Sequence, residues 1–385
     1  MSTLLRLATA GSVDDGKSTL VGRLLHDSKS VMSDQLEKIA SPSDLALLTD
    51  GLRAEREQGI TIDVAYRYFA TPRRRFILAD TPGHVQYTRN MVTGASTASL
   101  VVLVVDARHG VTDQTRRHAD VAGLLRVPHL VLAVNKMDLV GWSEEVFARI
   151  AGDLDYPGEV TAIPISALTG DNVVVPSAHM DWHTGPTVME FLETVEVSED
   201  LTALPARLPV QYVIKTRGRR AYAGQLTGGI LRVGERVTVQ PGGHTTTVTG
   251  IDVLGDPVAT AWAPQSIAVR LADDLDVSRG CLIAPAATAP PATRELHATV
   301  CHLHEKDLRV GEKILVKHTT RTVQAVVSSI GPGDSLGIND IGDVVVRTAA
   351  DLAVDDYGDS RTTGACLLID PADGATRSAG MISVA

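Results

Sequence analysis

The residues that could do chemistry begin with a loop that a glycine bounds on each side. Gly11-Ser12-Val13-Asp14-Asp15-Gly16-Lys17-Ser18 matches the phosphate-loop pattern G-x-x-x-x-G-K-[ST] at every fixed position. In such a loop the backbone N–H groups and the N-terminus of the following helix attract phosphates. Lys17 would contact the β- and γ-phosphates, and the Ser18 hydroxyl would bind Mg²⁺. The pattern therefore predicts a nucleoside-triphosphate site.

The sequence around this loop contains the strand and the helix that the motif requires. An apolar run from Leu4 to Ala8 precedes the loop, and Leu20, Val21, Leu24 and Leu25 recur after it at helical spacing. Further apolar runs are typical of parallel strands that helices cover on both faces, so we predict an α/β domain up to about residue 195. Ligands collect at the carboxyl ends of such strands. The runs cover residues 76–79, 100–105, 130–134 and 162–165.

A carboxylate and a turn follow the run at 76–79. The segment is Asp80-Thr81-Pro82-Gly83-His84. Asp80 would hold Mg²⁺ through water, and the Gly83 N–H would approach a γ-phosphate. Asp, Pro and Gly are also common turn formers, so the segment alone is equally compatible with an ordinary turn.

The run at 130–134 leads into Asn135-Lys136-Met137-Asp138, an N-K-x-D arrangement. The Asp138 carboxylate can accept hydrogen bonds from N1–H and the exocyclic amine of guanine, whereas adenine presents an acceptor at N1 and would be rejected. Asn135 would brace the neighbouring loops, and the Lys136 stem would lie along the base. A solvated polar turn is the alternative.

Two further segments carry weaker signals. Ser166-Ala167-Leu168 follows the run at 162–165 and could offer backbone N–H groups to the guanine carbonyl. Thr61 could supply a second hydroxyl ligand of Mg²⁺, in a loop that the γ-phosphate orders. The alternative is that Thr61 is simply a β-branched residue at the start of a strand. Taken by itself, Thr61 favours this alternative.

The order of these segments resembles the translation-factor superfamily of GTPases. Phosphate loop, G-I-T, D-T-P-G-H, N-K-M-D and S-A-L follow one another as in that family, and the resemblance covers the whole chain. It implies that His84 positions the attacking water and that the segment of Thr61 is a switch. Lys17, Thr61 and His84 are thus the predicted catalytic residues, with Ser18, Thr61 and Asp80 at the metal. The predicted GTP-binding residues are Gly11, Ser12, Val13, Asp14, Asp15, Gly16, Lys17, Ser18, Thr19, Asp80, Thr81, Pro82, Gly83, His84, Asn135, Lys136, Met137, Asp138, Ser166, Ala167 and Leu168.

Within that superfamily, Ser12 and Asp15 stand where elongation factors usually carry histidines. Both residues match the GTPase large subunit of bacterial sulfate adenylyltransferase, as do the stretches 48–69, 84–96 and 181–187. Val85, beside His84, departs from the glutamate of many members. The resemblance implies a heterodimer in which GTP hydrolysis here drives formation of adenylyl sulfate and pyrophosphate from ATP and sulfate in a smaller, ATP-binding subunit.

The chain has one phosphate loop and no second Gly-rich loop of the S-G-G-x-D type. We therefore expect adenylyl transfer on the partner subunit, and no fused adenylylsulfate kinase. Two alternatives stay open. One is an elongation factor that carries aminoacyl-tRNA, and the other is a GTP-regulated interaction protein without coupled chemistry.

Composition limits the class of protein. The formal net charge of -10 weighs against a dedicated nucleic-acid binder, which needs clustered Lys and Arg. The three cysteines are far apart and indicate neither a disulfide framework nor a zinc ribbon. We find no apolar run near the roughly 18 residues of a membrane span and no room for a signal peptide. The expectation is a soluble, cytoplasmic protein.

The length of 385 residues suits two or three domains. From about residue 208 the pattern changes to short alternating strands with turns, which is typical of small β-barrels. An Ala/Pro-rich segment at 284–291 would link two of them. We predict a GTP-binding domain at 1–200 and barrels at 205–288 and 293–385, an elongation-factor-like architecture.

Overall fold

The chain forms two compact units, Met1–Ser198 and Glu199–Ala385. The computed structural model describes residues 3–28, 45, 63–83, 88–197, 200–216 and 219–384. In these ranges no helix combines the length and the apolar character that crossing a bilayer requires. Thr61, His84 and Val85 lie outside the described residues.

The first unit is built on a six-stranded sheet with the order β2-β3-β1-β4-β5-β6. Every neighbouring pair is parallel except the edge pair β2 and β3. The predicted apolar runs lie in β3, β4, β5 and β6, although Ile165 falls just beyond β6. The strands are β1 Thr3–Gly11, β2 Ala65–Ala70, β3 Arg74–Asp80, β4 Leu100–Asp106, β5 His129–Asn135 and β6 Glu159–Pro164.

Helices cover this sheet, and polar side chains fix where three of them begin. Thr112, Ser143 and Thr187 each accept a hydrogen bond from a backbone N–H of the first turn of the helix that follows. The helices are α1 Lys17–Asp27, α2 Thr88–Ala95, α3 Asp113–Leu124, α4 Glu144–Gly152 and α5 Val188–Thr194, with a 3₁₀ helix at Met137–Val140. The predicted α/β domain is confirmed.

The register of the central strands brings their carboxyl ends to one edge. Every residue of β4 is buried, as expected for a central strand of a parallel sheet that helices cover. Gly11 of β1 pairs with Val104, and Asp106 at the end of β4 pairs with Asn135 at the end of β5. The loops that follow these strands therefore meet.

The second unit is all β, as predicted. Its first part forms an eight-stranded sheet of order β7-β16-β11-β12-β15-β9-β8, in which β13 pairs with β12, and a ribbon of β10 and β14. These strands are β7 Leu208–Pro209, β8 Tyr212–Thr216, β9 Arg219–Gln225, β10 Ile230–Arg232, β11 Arg236–Gln240, β12 His244–Val253, β13 Asp256–Val258, β14 Thr260–Trp262, β15 Ser266–Leu271 and β16 Leu282–Pro285.

Its second part is a closed barrel of order β17-β22-β20-β19-β23-β24, beside the short pair β18 and β21. The predicted domain limits at 205–288 and 293–385 stay a prediction, because residues 199–385 form a single compact unit. The strands are β17 Ala292–His302, β18 Leu308–Arg309, β19 Lys313–His318, β20 Arg321–Ile330, β21 Ser335–Leu336, β22 Ile341–Ala353, β23 Ala365–Ile369 and β24 Thr376–Ser383.

Candidate nucleotide-binding site

The predicted phosphate loop joins the end of β1 to the first turn of α1. Its two glycines have positive φ angles, 143° for Gly11 and 92° for Gly16. A Cβ atom on Gly11 would lie 2.4 Å from the Val104 carbonyl oxygen, and one on Gly16 would lie 2.4 Å from the Asn135 amide nitrogen. Both positions therefore require glycine for backbone conformation and for space.

Gly16 immediately precedes α1, and no side chain caps the N–H groups of this first turn within the described chain. A helix N-terminus with uncapped N–H groups attracts an anion. Ser18 and Thr19 follow within the first turn and are half-buried, whereas the Val13 and Asp14 side chains are exposed. The local structure thus suits a phosphate.

The Lys17 ammonium lies inside the loop. Its Nζ donates to the carbonyl oxygens of Gly11 at 3.0 Å and Ser12 at 2.6 Å. Burial lowers the pKa of Lys17, while the carboxylates of Asp15 and Asp80 oppose that shift. A Cβ atom on Gly83 would lie 2.4 Å from Lys17 Nζ, so the turn after β3 closes against this lysine.

Thr9 of β1 orients the end of β3. Its hydroxyl donates to Asp80 Oδ1 at 2.9 Å, and its carbonyl oxygen accepts from the Thr81 hydroxyl at 2.5 Å. Asp80, Thr81, Pro82 and Gly83 are all buried. Hydroxyl and carboxylate oxygens are the ligands that Mg²⁺ prefers, so the donor set of Ser18 and Asp80 fits this ion.

Asn135 links three segments of the site through one buried side chain. Its Nδ2 donates to the carbonyl oxygen of Asp15 at 2.8 Å, and its Oδ1 accepts from the Ala167 N–H at 2.9 Å. Asn135 therefore fixes the phosphate loop and the S-A-L segment relative to β5. The S-A-L segment is predicted to offer backbone N–H groups to a guanine carbonyl, and the Ala167 N–H of this segment donates to Asn135 in this structure.

Lys136 adds a second connection to the phosphate loop. Its Nζ donates to the Asp14 carbonyl oxygen at 2.5 Å and lies 2.9 Å from Asp106 Oδ2. Burial alone would raise the pKa of Asp106, but hydrogen bonds from Arg108 and Lys136 outweigh it and hold that pKa well below its usual range. The charged Asp106 thus anchors the lysine stem beside the loop.

Asp138 presents an acceptor that nothing in the described chain satisfies. Its Oδ1 is buried and has no hydrogen-bond partner among the described residues. The preceding Met137 is fully buried, and its N–H donates to Ile165 O at 3.2 Å, which fixes this turn against the end of β6. Because an unsatisfied buried acceptor costs about 1–3 kcal/mol, this oxygen fits a ligand that brings N–H donors, as guanine does.

Arg23 of α1 orients the S-A-L segment. Its guanidinium donates to the carbonyl oxygens of Ala167, at 3.2 Å, and Leu168. Ser166 and Ala167 are buried, whereas the Leu168 side chain is 43% exposed. The segment therefore lies between α1 and Asn135.

Comparisons with known proteins show which family the chain resembles. Residues 2–202 match the model of the elongation factor Tu GTP binding domain. The bifunctional enzyme CysN/CysC of Mycobacterium tuberculosis (strain ATCC 25618 / H37Rv) is 52% identical, over 99% of this chain and 67% of that protein. Sulfate adenylyltransferase subunit 1 is 45% identical in Shewanella oneidensis, over 98% of this chain and 85% of that protein, and 46% identical in Aeromonas salmonicida, over 99% and 87%. The chain belongs to the sulfate adenylyltransferase subunit 1 family. The resemblance predicted from the motifs is confirmed.

In this member of the subunit 1 family, α3 also holds the phosphate loop. His118 Nδ1 accepts the Gly11 N–H at 3.1 Å, and the Thr112 hydroxyl lies 2.9 Å from Ser12 Oγ. Neither residue was predicted from the sequence, and the same is true of Arg23. Thr112 carries the signal of a helix N-cap, but a single histidine on a buried helix face carries none.

We expect His118 to make the stability of this chain depend on pH. Burial lowers the pKa of His118 to about 3, and Lys17 and Arg117 contribute to the shift. The unfolded chain binds a proton near pH 6.5, so the free energy of unfolding falls as pH falls below 6.5. His118→Asn keeps an acceptor for the Gly11 N–H and removes the titration.

When the pH falls from 7 to 5, we expect the free energy of unfolding of the native chain to fall by about 2 kcal/mol more than that of His118→Asn. The difference arises because one bound proton changes this free energy by about 1.4 kcal/mol per pH unit. Urea unfolding at both pH values measures this difference. The exposed His244 provides a matched control, His244→Asn, which should follow the native chain. Equal pH dependence of His118→Asn and the native chain would contradict the assignment.

Proposed function

We propose that this chain is the GTPase subunit of a sulfate adenylyltransferase. It would couple GTP hydrolysis to the formation of adenylyl sulfate and diphosphate from ATP and sulfate. One observation carries the proposal: relatives named sulfate adenylyltransferase subunit 1 align with 98–99% of the chain at 45–46% identity. Because that alignment spans both units, the proposal concerns the whole chain and not the nucleotide site alone.

The GTP site would combine two recognition elements. The phosphate loop, Lys17 and the N-terminus of α1 would bind the phosphates, and Lys17 would stabilise charge on the transferring phosphoryl group. Asp138 would select guanine, and the support for this is its buried Oδ1, which has no hydrogen-bond partner in the described part of the chain. Asn135 and Lys136 would hold the two elements at a fixed separation.

Ser18 and Thr61 would bind Mg²⁺ directly, and Asp80 would hold the ion through water. When bound, this ion supplies positive charge to the β- and γ-phosphate oxygens. His84 would orient the attacking water. The roles of Thr61 and His84 come from the family resemblance alone, since both residues lie outside the described ranges.

The partner would be a smaller, ATP-binding subunit that carries out adenylyl transfer. The name subunit 1, borne by the relatives, supports the existence of a second subunit. The single phosphate loop of this chain supports the division of labour, because one such loop serves one triphosphate. We place the complex in the cytoplasm, where ATP and GTP are available, and expect neither membrane nor nucleic acid as a partner.

The test is to isolate the chain with its native partners on a non-hydrolysable GTP analogue, exchange the analogue for GTP, and assay adenylyl sulfate formation from ATP and sulfate. We expect product with GTP and background with the analogue. ATP and sulfate together should also accelerate GTP hydrolysis in the complex. Product formation that does not depend on GTP would overturn the proposal. Aminoacyl-tRNA as the bound species would also overturn it.

A further inference from the structure

The phosphate loop contains a buried carboxylate, that of Asp15, which is 5% exposed. Burial raises the pKa of Asp15, while the Ser12 N–H and Lys17 oppose this shift. A carboxylate at this place would repel the phosphates of a nucleotide if it acted through charge alone. Its contacts indicate a different role.

The Asp15 carboxylate closes the turn of residues 12–15. Its Oδ2 accepts the Ser12 N–H at 2.7 Å, and the Asp15 N–H points back to Ser12 O at 3.5 Å. Within this turn Asp14 has a φ angle of 62°, in the left-handed region that non-glycine residues seldom occupy. The side-chain hydrogen bond therefore maintains a backbone conformation that the sequence at position 14 does not favour by itself.

Ser12 contacts both Asp15 and the predicted catalytic lysine, Lys17. Asp15 holds its N–H, Lys17 Nζ donates to its carbonyl oxygen at 2.6 Å, and Thr112 contacts its hydroxyl at 2.9 Å. These three side chains therefore fix the N–H, the carbonyl oxygen and the hydroxyl of Ser12. Without the Asp15 carboxylate, Ser12 could rotate and Lys17 would lose the carbonyl oxygen that orients it.

We infer that Asp15 is a positioning residue for GTP, which acts through Ser12 to hold the phosphate loop and the Lys17 ammonium in the arrangement that receives the phosphates. The inference rests on the GTP site of the proposed function. It does not depend on the coupling to adenylyl transfer. Asp15 is among the predicted GTP-binding residues of the phosphate loop, and the inference assigns its carboxylate to the Ser12 N–H instead of to the nucleotide.

The test compares Asp15→Ala with Asp15→Asn in the isolated full chain. Asp15→Ala should weaken GTP binding by about 10- to 100-fold, the range expected for one hydrogen bond to a charged group. Asp15→Asn keeps an oxygen that can accept the Ser12 N–H, and it should restore GTP affinity to within about 3-fold of the native chain. A titration with a fluorescent GTP analogue measures both affinities.

The sign of the effect separates this role from simple repulsion. If Asp15 acted only as a negative charge near the phosphates, both substitutions would tighten GTP binding. Tighter or unchanged binding by Asp15→Ala would therefore overturn the inference, and so would failure of Asp15→Asn to restore affinity. Asp120→Ala, on the exposed face of α3, is the matched control and should bind GTP as the native chain does. A chain that binds GTP in this pattern but supports no adenylyl sulfate formation would contradict the proposed function alone.

Discussion

Asp138→Asn is expected to weaken GTP binding by at least about 100-fold, since one of the two hydrogen bonds from guanine is lost, the other loses its charged acceptor, and a hydrogen bond to a charged group contributes roughly 1.5–3 kcal/mol. The asparagine keeps one oxygen for N1–H but turns an N–H donor toward the exocyclic amine of guanine. Xanthine carries an acceptor at that place, so the same substitution should favour xanthosine triphosphate. Asp138 Oδ1 is buried, so the change from an acceptor to a donor would take place where the base is expected to bind.

Competition titrations with GTP and xanthosine triphosphate on the native chain and on Asp138→Asn measure this reversal. Asp120→Asn makes the same chemical change on an exposed helix face and should preserve the preference for GTP. Unchanged GTP affinity of Asp138→Asn would refute the role of this carboxylate. Loss of affinity for both nucleotides would indicate damage to the loop instead of altered base selection.

The first unit was predictable because its signals are local. Continuous apolar runs define buried parallel strands, and the phosphate loop, D-T-P-G-H, N-K-M-D and S-A-L each lie at or near the end of one of them. The register then brings the ends of β4 and β5 side by side, which pairs Asp106 with Asn135. Sequence spacing therefore sufficed to place the phosphate loop and the N-K-x-D segment at one edge of the sheet.

The second unit shows where strand patterns mislead. Residues 229–239 alternate in the sequence like one strand, but they form two, β10 and β11, which Gly234 separates with a φ angle of 88°. The two strands pair with different partners, β14 and β12, so a pattern that is continuous in sequence belongs to two sheets. The strand-like residues 210–214 overlap β8 only from Tyr212 onward, because the Val210 N–H donates to Cys281 O instead of joining that strand.

Several contacts of the site could not be predicted because they join distant segments. Arg23 contacts Ala167, and His118 contacts Gly11 across a separation of 107 residues. No spacing rule connects such pairs, and only the packing of α1 and α3 on the sheet reveals them. The roles of Thr61 and His84 stay predictions.

Lys17→Ala is expected to reduce GTP-dependent adenylyl sulfate formation by at least about 1,000-fold, because the chain loses the cation that offsets charge on the transferring phosphoryl group. The structure adds a second reason. Removing Nζ leaves the Gly11 and Ser12 carbonyl oxygens without this donor, and it removes the positive charge that interacts with the Asp15 and Asp80 carboxylates.

The fold should survive this change, and that separates a functional loss from a structural one. Burial lowers the pKa of Lys17, which means that the folded chain destabilises the charged ammonium relative to the unfolded chain. Removing the charge therefore should not reduce the free energy of unfolding through this effect. Thermal unfolding followed by circular dichroism should give Lys17→Ala a melting temperature close to that of the native chain, while the activity assayed with the partner subunit falls to background.

The exposed Lys313 of β19 gives the control Lys313→Ala, which should retain activity. Native turnover by Lys17→Ala would show that GTP hydrolysis at this loop does not drive the reaction.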